Sequence, residues 1–299
     1  MIDLGETNLF GANLKRIDFE RINLERANLE KTNLTGANFR ETNLKGADLD
    51  WAILIGASLV GTKLEKANLI GANLQGANLF MANLSEANLF MAKLTGVNLQ
   101  GANLEGTNLE GAILERANLF MADLEGSSFE GAILDGANLE EANLREANFR
   151  ATTLIKADLQ EADLKRAELE GANLERANLR ETKLQGANLR EANLEGTDFI
   201  KANLYGANLV KSHLKGANLK EVNLQGTNLF MAKLEGTNLE GANLRGALNL
   251  SIDQLSKVRG LYNVKLDEEF LIQLKEEFPF LFKSLKQQFL ESQRNLLET

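Results

Sequence analysis

Ala72-Asn73-Leu74-Gln75-Gly76 is one unit of a five-residue repeat that fills most of this 299-residue chain. Every fifth residue from Leu4 to Leu244 is Leu or Phe, without an insertion, and we name this residue the centre of its unit. A small residue, mostly Ala or Thr, stands two places before the centre, and Asn or Asp usually stands between them. A fixed short period indicates a solenoid in which each unit buries its apolar face against its neighbours.

The spacing within a unit predicts extended backbone rather than helix. The centre and the small residue are two apart, so both point to one side of an extended chain and the intervening Asn points to the other. An amphipathic helix needs apolar residues at spacings of three and four. We therefore predict a core of stacked Leu and Ala layers, with ladders of Asn side chains along the outside.

Glycine marks the corners that join these short segments. Of the 25 glycines, all except Gly5 and Gly260 lie two residues after a centre. A type II turn that starts at the centre places its positive-φ residue at this position, where Gly is least strained. We expect units with Arg, Glu, Lys or Met at this position to turn differently.

This pattern resembles the pentapeptide repeat family, in its long and uninterrupted form typical of cyanobacteria. The resemblance covers roughly the first 247 residues and implies an all-β solenoid, a right-handed quadrilateral β-helix with four units in each coil, which we assign to residues 1–249. Four units per coil give about 12 coils, and the rod would be about 60 Å long at the usual strand spacing. The Phe centres agree, because Phe19 and Phe39 are one such coil apart, as are Phe129 and Phe149.

The amino-acid composition argues against several classes of function. The net charge is −9, which argues against direct binding to nucleic acid or to an anionic membrane. The chain has no Cys and one His, and its glycines are too evenly spaced to cradle a phosphate, so we predict no catalytic, cofactor-binding or metal-binding residues. No apolar run is long enough to cross a bilayer, and no leader precedes the first unit, so we expect a cytoplasmic protein.

Residues 51 to 133 carry apolar side chains at positions that should face water. On 20-residue coils, one set lies on a single side and the corner beside it, and consists of Trp51, Ile53, Ile55, Ile70, Phe90, Met91, Ile113 and Ile133. A second set lies on the opposite corner and consists of Val60, Phe80, Met81, Phe120 and Met121. A contiguous apolar patch often marks a contact surface. Duplication is the alternative, because Asn-Leu-Phe-Met-Ala recurs at 78–82, 88–92, 118–122 and 228–232.

The second half of the repeat is charged. Glu141, Glu161 and Glu181 fall in one column, with Glu140 and Asp163 nearby. Interspersed Arg and Lys favour a solvated, ion-paired surface. The resemblance adds an alternative, because fluoroquinolone-resistance members of the family mimic B-form DNA and bind gyrase as dimers. This sequence departs from them, since bases balance its acids and no loop interrupts its coils.

The repeat pattern ends before residues 250–299, and the sequence of this segment predicts a small α-helical cap. Ser251 and Gln254 form a capping box for a short helix that leaves at Gly260. A second helix starts at Asp267 and ends near Pro279, and a third would carry Phe282, Leu285, Phe289 and Leu296 on one face. The cap would cover the last coil, although these helices, like the bare first coil with Ile2, Ile17 and Ile22, are also candidate homodimer contacts.

We therefore predict a non-enzyme, a rigid rod that presents its surface to another protein as a scaffold or regulatory binding protein. The alternative is a DNA mimic that binds a type II topoisomerase. Residues that follow a centre should be replaceable, so we expect Asp135→Ser to change stability little.

Overall fold

The computed structural model describes residues 2–284 and Gln287, and residues 2–248 form a four-sided β-helix. Parallel β-bridges join residues that are 20 apart, from Asp3 with Asn23 to Asn228 with Leu248. Each bridge residue is the one before a centre, so every unit contributes one short side. Four units per coil, which the family resemblance implied, are confirmed.

The core is a stack of centres and small residues. Leu124 and its counterparts from Leu24 to Leu239 are essentially inaccessible to solvent. The rings of Phe19 and Phe39 stack with their centroids 5.1 Å apart, and those of Phe129 and Phe149 with theirs 4.7 Å apart. Where Thr replaces Ala, its hydroxyl finds a backbone acceptor, so the core contains few unpaired polar groups.

The outward Asn side chains form the predicted ladders. Asn43 Nδ2 donates to Asn23 Oδ1 on the preceding coil over 2.8 Å, and that same oxygen accepts the backbone N–H of Glu25 over 3.2 Å. The donors therefore point towards the N-terminus. The Asp side chain has no N–H to donate to the preceding coil, so it can only accept from the Asn one coil further on. An Asp therefore begins a ladder, as Asp123 does by accepting from Asn143.

Every corner has the same turn, including those without Gly. Ala77 N donates to Leu74 O over 2.9 Å, and Gly76 at the third position has a φ of +64°. Arg, Glu, Lys and Met take φ between +54° and +60° at this position, so our expectation of a different turn was wrong. The next coil holds the corner in place, as Glu41 N shows by donating to Val60 O over 2.9 Å, and this outweighs a strain of about 1–2 kcal/mol.

Corner side chains lean towards the next coil, where they often meet either Gly or an opposite charge. Arg21 Nε lies 2.8 Å from Glu41 Oε2, one coil further on. Met91 instead covers Gly111, at which an added Cβ would lie 3.4 Å from the Met91 Cγ. The residue tolerated at a corner therefore depends on the corner one coil before it.

The C-terminal segment begins with two α-helices, α1 (Ile252–Ser256) and α2 (Glu268–Glu277), followed by a 3₁₀ helix (Pro279–Phe282). The capping box of Ser251 and Gln254 is confirmed. Gly260, however, does not end α1, because it pairs in parallel with Asn238 and has no positive φ. Together with the Asn243–Lys265 bridge, this pairing continues the β-helix beyond the repeats.

This segment covers the last coils by hydrogen bonding and burial. Gln254 Nε2 donates to the carbonyl oxygens of Leu229 and Ala232, each over 2.9 Å. Leu255, Leu261 and Leu274 are fully buried. Most of the predicted third helix, including Leu285, Phe289 and Leu296, lies outside the described residues, and the division into 1–249 and 250–299 stays a prediction.

Candidate functional site, an apolar corner with an acidic edge

Six apolar side chains gather on three successive coils at one corner and the side that follows it. We name them the Trp51 patch, consisting of Trp51, Ile53, Ile55, Ile70, Phe90 and Met91. Trp51 is 55% exposed, Met91 56% and Phe90 38%, whereas Ile70 is half-buried. The structure thus brings these six predicted residues together on the surface.

The Trp51 indole is fixed by the glycine one coil further on. A Cβ added to Gly71 would lie 2.9 Å from the Trp51 Cδ2 and Cε2 atoms. Because only a glycine leaves this space, the indole lies against the Gly71 backbone. The contact holds a large aromatic ring in one place on an otherwise open surface, which lowers the entropy lost on binding.

The longer strip that we predicted is interrupted. The bridge column runs from Ile53 through Asn73 and Lys93 to Ile113 and then Ile133. Asn73 and Lys93 therefore separate Ile113 and Ile133 from Ile53 within this column, although Phe90 and Met91 lie on the same coil as Lys93, one coil before Ile113. The half-buried Ile113 and Ile133 instead lie on the side next to a groove of about 480 Å³ lined by residues that include Thr95, Arg116, Asp135 and Ile155.

Asp135 in that groove has a structural role that we did not predict. Its Oδ1 accepts the backbone N–H of Ile155 over 3.0 Å. In most units the Asn before the centre bonds this N–H, as Asn173 does for Glu175. Thr153 stands where that Asn would be, so the preceding coil supplies the acceptor.

Carboxylates line the edge of the Trp51 patch that faces the N-terminus. Burial raises the pKa of Asp50, with smaller contributions from Asp48 and Glu30. Asp50 Oδ1 is buried and accepts no hydrogen bond. The nearby cation, Lys31, is engaged elsewhere, with its Nζ 2.6 Å from Glu30 Oε1 and 5.4 Å from the Phe10 ring centroid. Sequence reasoning missed Asp50, although its place beside Trp51 at the same corner was a usable signal.

The opposite corner carries the second apolar set. Phe80, Met81 and Met121 are exposed, and Met81 covers Gly101 much as Met91 covers Gly111. Phe80-Met81 and Phe90-Met91 are half a coil apart, so the two copies of the motif face in opposite directions. Of these two corners, only the Trp51 corner has an aromatic side chain larger than Phe.

The acidic column of the second half runs along the surface of the rod. Glu141, Glu161 and Glu181 occupy the same corner of successive coils and are exposed, with Glu140 half-buried beside them. Glu181 pairs with Lys201 over 3.7 Å, and Asp163 pairs with Lys165 over 3.3 Å. Glu141 and Glu161 have no ion-pair partner within residues 2–284.

Two further findings concern chemistry and membranes. Within the described range, no three His, Asp or Glu side chains are grouped so that they could hold a metal ion. Among the same residues, none of the helices has the length and hydropathy that a bilayer span requires.

Comparison with known proteins supports the repeat assignment. The family model described as pentapeptide repeats matches residues 2–40, 42–79, 82–120 and further segments as far as 228–251. HetL of the cyanobacterium Nostoc sp. strain PCC 7120, a pentapeptide repeat protein involved in heterocyst differentiation regulation, is 33% identical over 76% of this chain and 89% of its own, with a TM-score of 0.28.

Two other solved structures are similar in part. Rfr23 of the cyanobacterium Cyanothece 51142 is 36% identical over 44% of this chain and 91% of its own, with a TM-score of 0.22. QnrB1, a plasmid-mediated fluoroquinolone resistance protein, is 19% identical over 74% of this chain and 95% of its own, with a TM-score of 0.37. No curated protein matches the sequence. From the matched repeats and the identity to HetL, the chain belongs to the pentapeptide repeat family, and its solenoid is the right-handed quadrilateral β-helix of that family.

Proposed function

We propose that this protein is a non-catalytic rod that binds a protein partner through the Trp51 patch and acts as a scaffold or regulatory protein in the cytoplasm. The exposed Trp51, held against Gly71 among Ile53, Ile70 and Phe90, is the observation that carries the proposal. Protein interfaces concentrate their binding energy in a few aromatic and large apolar anchors. A fixed indole with Ile and Phe side chains nearby has that composition.

The rod form itself suits a binding role. Each coil hydrogen bonds to its neighbours along its full circumference, so the surface is held in one conformation before a partner arrives. A rigid surface loses little conformational entropy on association. HetL, which is similar to this chain, is described as involved in regulation, and this supports a regulatory role here.

The test compares partner capture by the intact protein and by two double variants. Trp51→Ala with Phe90→Ala removes two anchors of the patch. Phe230→Ala with Met231→Ala is the matched control, because this pair belongs to the same recurring motif and the same corner near the other end of the rod. We expect the first variant to weaken binding of the captured protein at least tenfold and the control to leave it unchanged.

Binding should also depend weakly on salt, because apolar contacts are not screened as exposed charges are. Circular dichroism confirms that both variants remain folded, as expected for surface positions. A partner retained equally by all three proteins would place the binding surface elsewhere and refute the proposal.

The second candidate is the DNA mimic that binds a type II topoisomerase, and the unpaired Glu141 and Glu161 favour it. This candidate predicts inhibition of gyrase supercoiling, a steep loss of binding as salt rises, and abolition when Glu141, Glu161 and Glu181 become Gln. No inhibition at a large molar excess would exclude it.

A further inference from the structure

We propose that the Trp51 patch recognises a Lys or Arg side chain set among apolar residues of the partner polypeptide, an inference that rests on the proposed function. The juxtaposition that carries it is an aromatic anchor, a carboxylate without a partner, and an apolar surface beside both. Asp50 and Trp51 are consecutive residues at one corner, and Ile70 follows Asp50 on the next coil.

The first step is the local excess of negative charge. Burial is the largest cause of the raised pKa of Asp50, the carboxylates of Asp48 and Glu30 add to it, and Lys31 is the one cation that acts in the opposite direction. Lys31 is held by Glu30 and by the Phe10 ring. Two of the three carboxylates therefore have no cation of their own at this edge of the patch.

The second step is the unsatisfied acceptor. A buried carboxylate oxygen without a donor destabilises the folded protein, because it has lost water and gained nothing in return. Asp50 Oδ1 is in this state, and no ion pair of the described residues reaches the carboxylate. Asp50 Oδ2 is not among the buried atoms, so a cation from a partner can reach the carboxylate through this oxygen and offset part of the cost that the free rod carries.

The third step is the aromatic ring. Gly71 lies against the indole, and Trp51 as a residue remains 55% exposed. A guanidinium or ammonium group is attracted to the open face of an aromatic ring, and most strongly to that of Trp. The same cation is attracted to the adjoining carboxylate, while Ile53, Ile70 and Phe90 accommodate aliphatic neighbours in the partner.

The experiment is a selection of random 12-residue peptides displayed on phage against the full chain. We expect enriched peptides to carry Lys or Arg next to apolar residues. A synthetic peptide from the selection, and the same peptide with citrulline in place of Arg, are then titrated against the fluorescence of Trp51, the only Trp in the chain. Citrulline keeps the shape of Arg and removes its charge.

Asp50→Asn is the decisive variant, and Glu65→Gln is its matched control. Glu65 Oε2 is also buried without a hydrogen bond, but Glu65 lies at another corner, away from any aromatic ring of the patch. We expect Asp50→Asn to bind the Arg peptide at least tenfold more weakly, and to bind Arg and citrulline peptides equally. Glu65→Gln should behave as the unaltered protein does.

The outcomes separate this inference from the proposed function. If enriched peptides lack basic residues, or bind Asp50→Asn as tightly as the unaltered chain, but lose affinity for Trp51→Ala, the patch binds partners and the inference is wrong. If the peptides bind Trp51→Ala unchanged, or if the selection enriches nothing, the proposed function fails as well.

Discussion

Gly71→Ala is the most direct perturbation of the Trp51 patch. An added methyl group would lie 2.9 Å from two indole atoms and 3.0 Å from a third, which is closer than van der Waals contact allows. The backbone on both sides is hydrogen bonded to neighbouring coils, so the indole must move. A little under half of the Trp51 surface is covered, and its loss would cost at most about 2 kcal/mol.

Gly76→Ala is the matched control, because it carries the same backbone strain without the steric clash. Its φ is +64° against +61° for Gly71, and an added Cβ would meet nothing within 4 Å. Both variants should lose about 1 kcal/mol to the left-handed conformation. Any further difference in stability between the two variants therefore measures the displacement of Trp51.

Trp51 fluorescence and urea denaturation measure the two effects separately. We expect Gly71→Ala to shift the emission to longer wavelength as the indole becomes solvated, and to be the less stable variant by about 1–2 kcal/mol. Gly76→Ala should leave the spectrum unchanged. Identical spectra and midpoints for the two variants would show that Gly71 does not fix the indole, and our account of the patch would be wrong.

Three further predictions test the core, a corner and a charge. Leu124→Asp should lower stability by more than about 3 kcal/mol in thermal denaturation, whereas Glu105→Ser should change it by about 0.5 kcal/mol at most. Asp135→Ala should cost about 1 kcal/mol because the Ile155 N–H loses its acceptor, and Asp135→Asn, which keeps an oxygen there, should cost less; equal losses would refute that role. Because the folded state raises the pKa of Asp50, stability falls as pH rises above the ordinary Asp range, so Asp50→Asn should melt higher than the unaltered protein at pH 7, with the gap closing in acid.

The repeat predicts the core and the outward Asn ladders because both follow from a period of five and from alternation along extended backbone. The stacking of Phe19 on Phe39 could be predicted once the coil length of 20 residues was known. Corners were harder to predict. Propensity favours Gly at positive φ, but the hydrogen bonds that corner N–H groups donate to the next coil impose the same turn on Arg, Glu, Lys and Met.

Single-residue roles depended on neighbours one coil away, which a sequence shows only after the coil length is known. Asp135 accepts the Ile155 N–H because Thr153 does not, and the sequence alone gave no reason to compare these positions. The burial of Asp50 beside Trp51 could not be predicted either, because it depends on residues of the neighbouring coils. Gly260 was predicted as a helix end because helices often end at Gly, while its pairing with Asn238 depends on how the segment folds back.

The corner pairing limits how such a chain can grow. Inserting one five-residue unit would leave every Leu and Ala in the core, since all four sides are equivalent there. The same insertion would rotate all downstream residues by a quarter turn around the axis. An insertion between residues 191 and 211 would separate Glu191 from Lys211, and one between residues 91 and 111 would separate Met91 from Gly111. Gain or loss of a whole coil keeps the surface columns in register, whereas gain or loss of part of a coil changes which side chains are neighbours in each column. The core therefore tolerates changes in length that alter the surface.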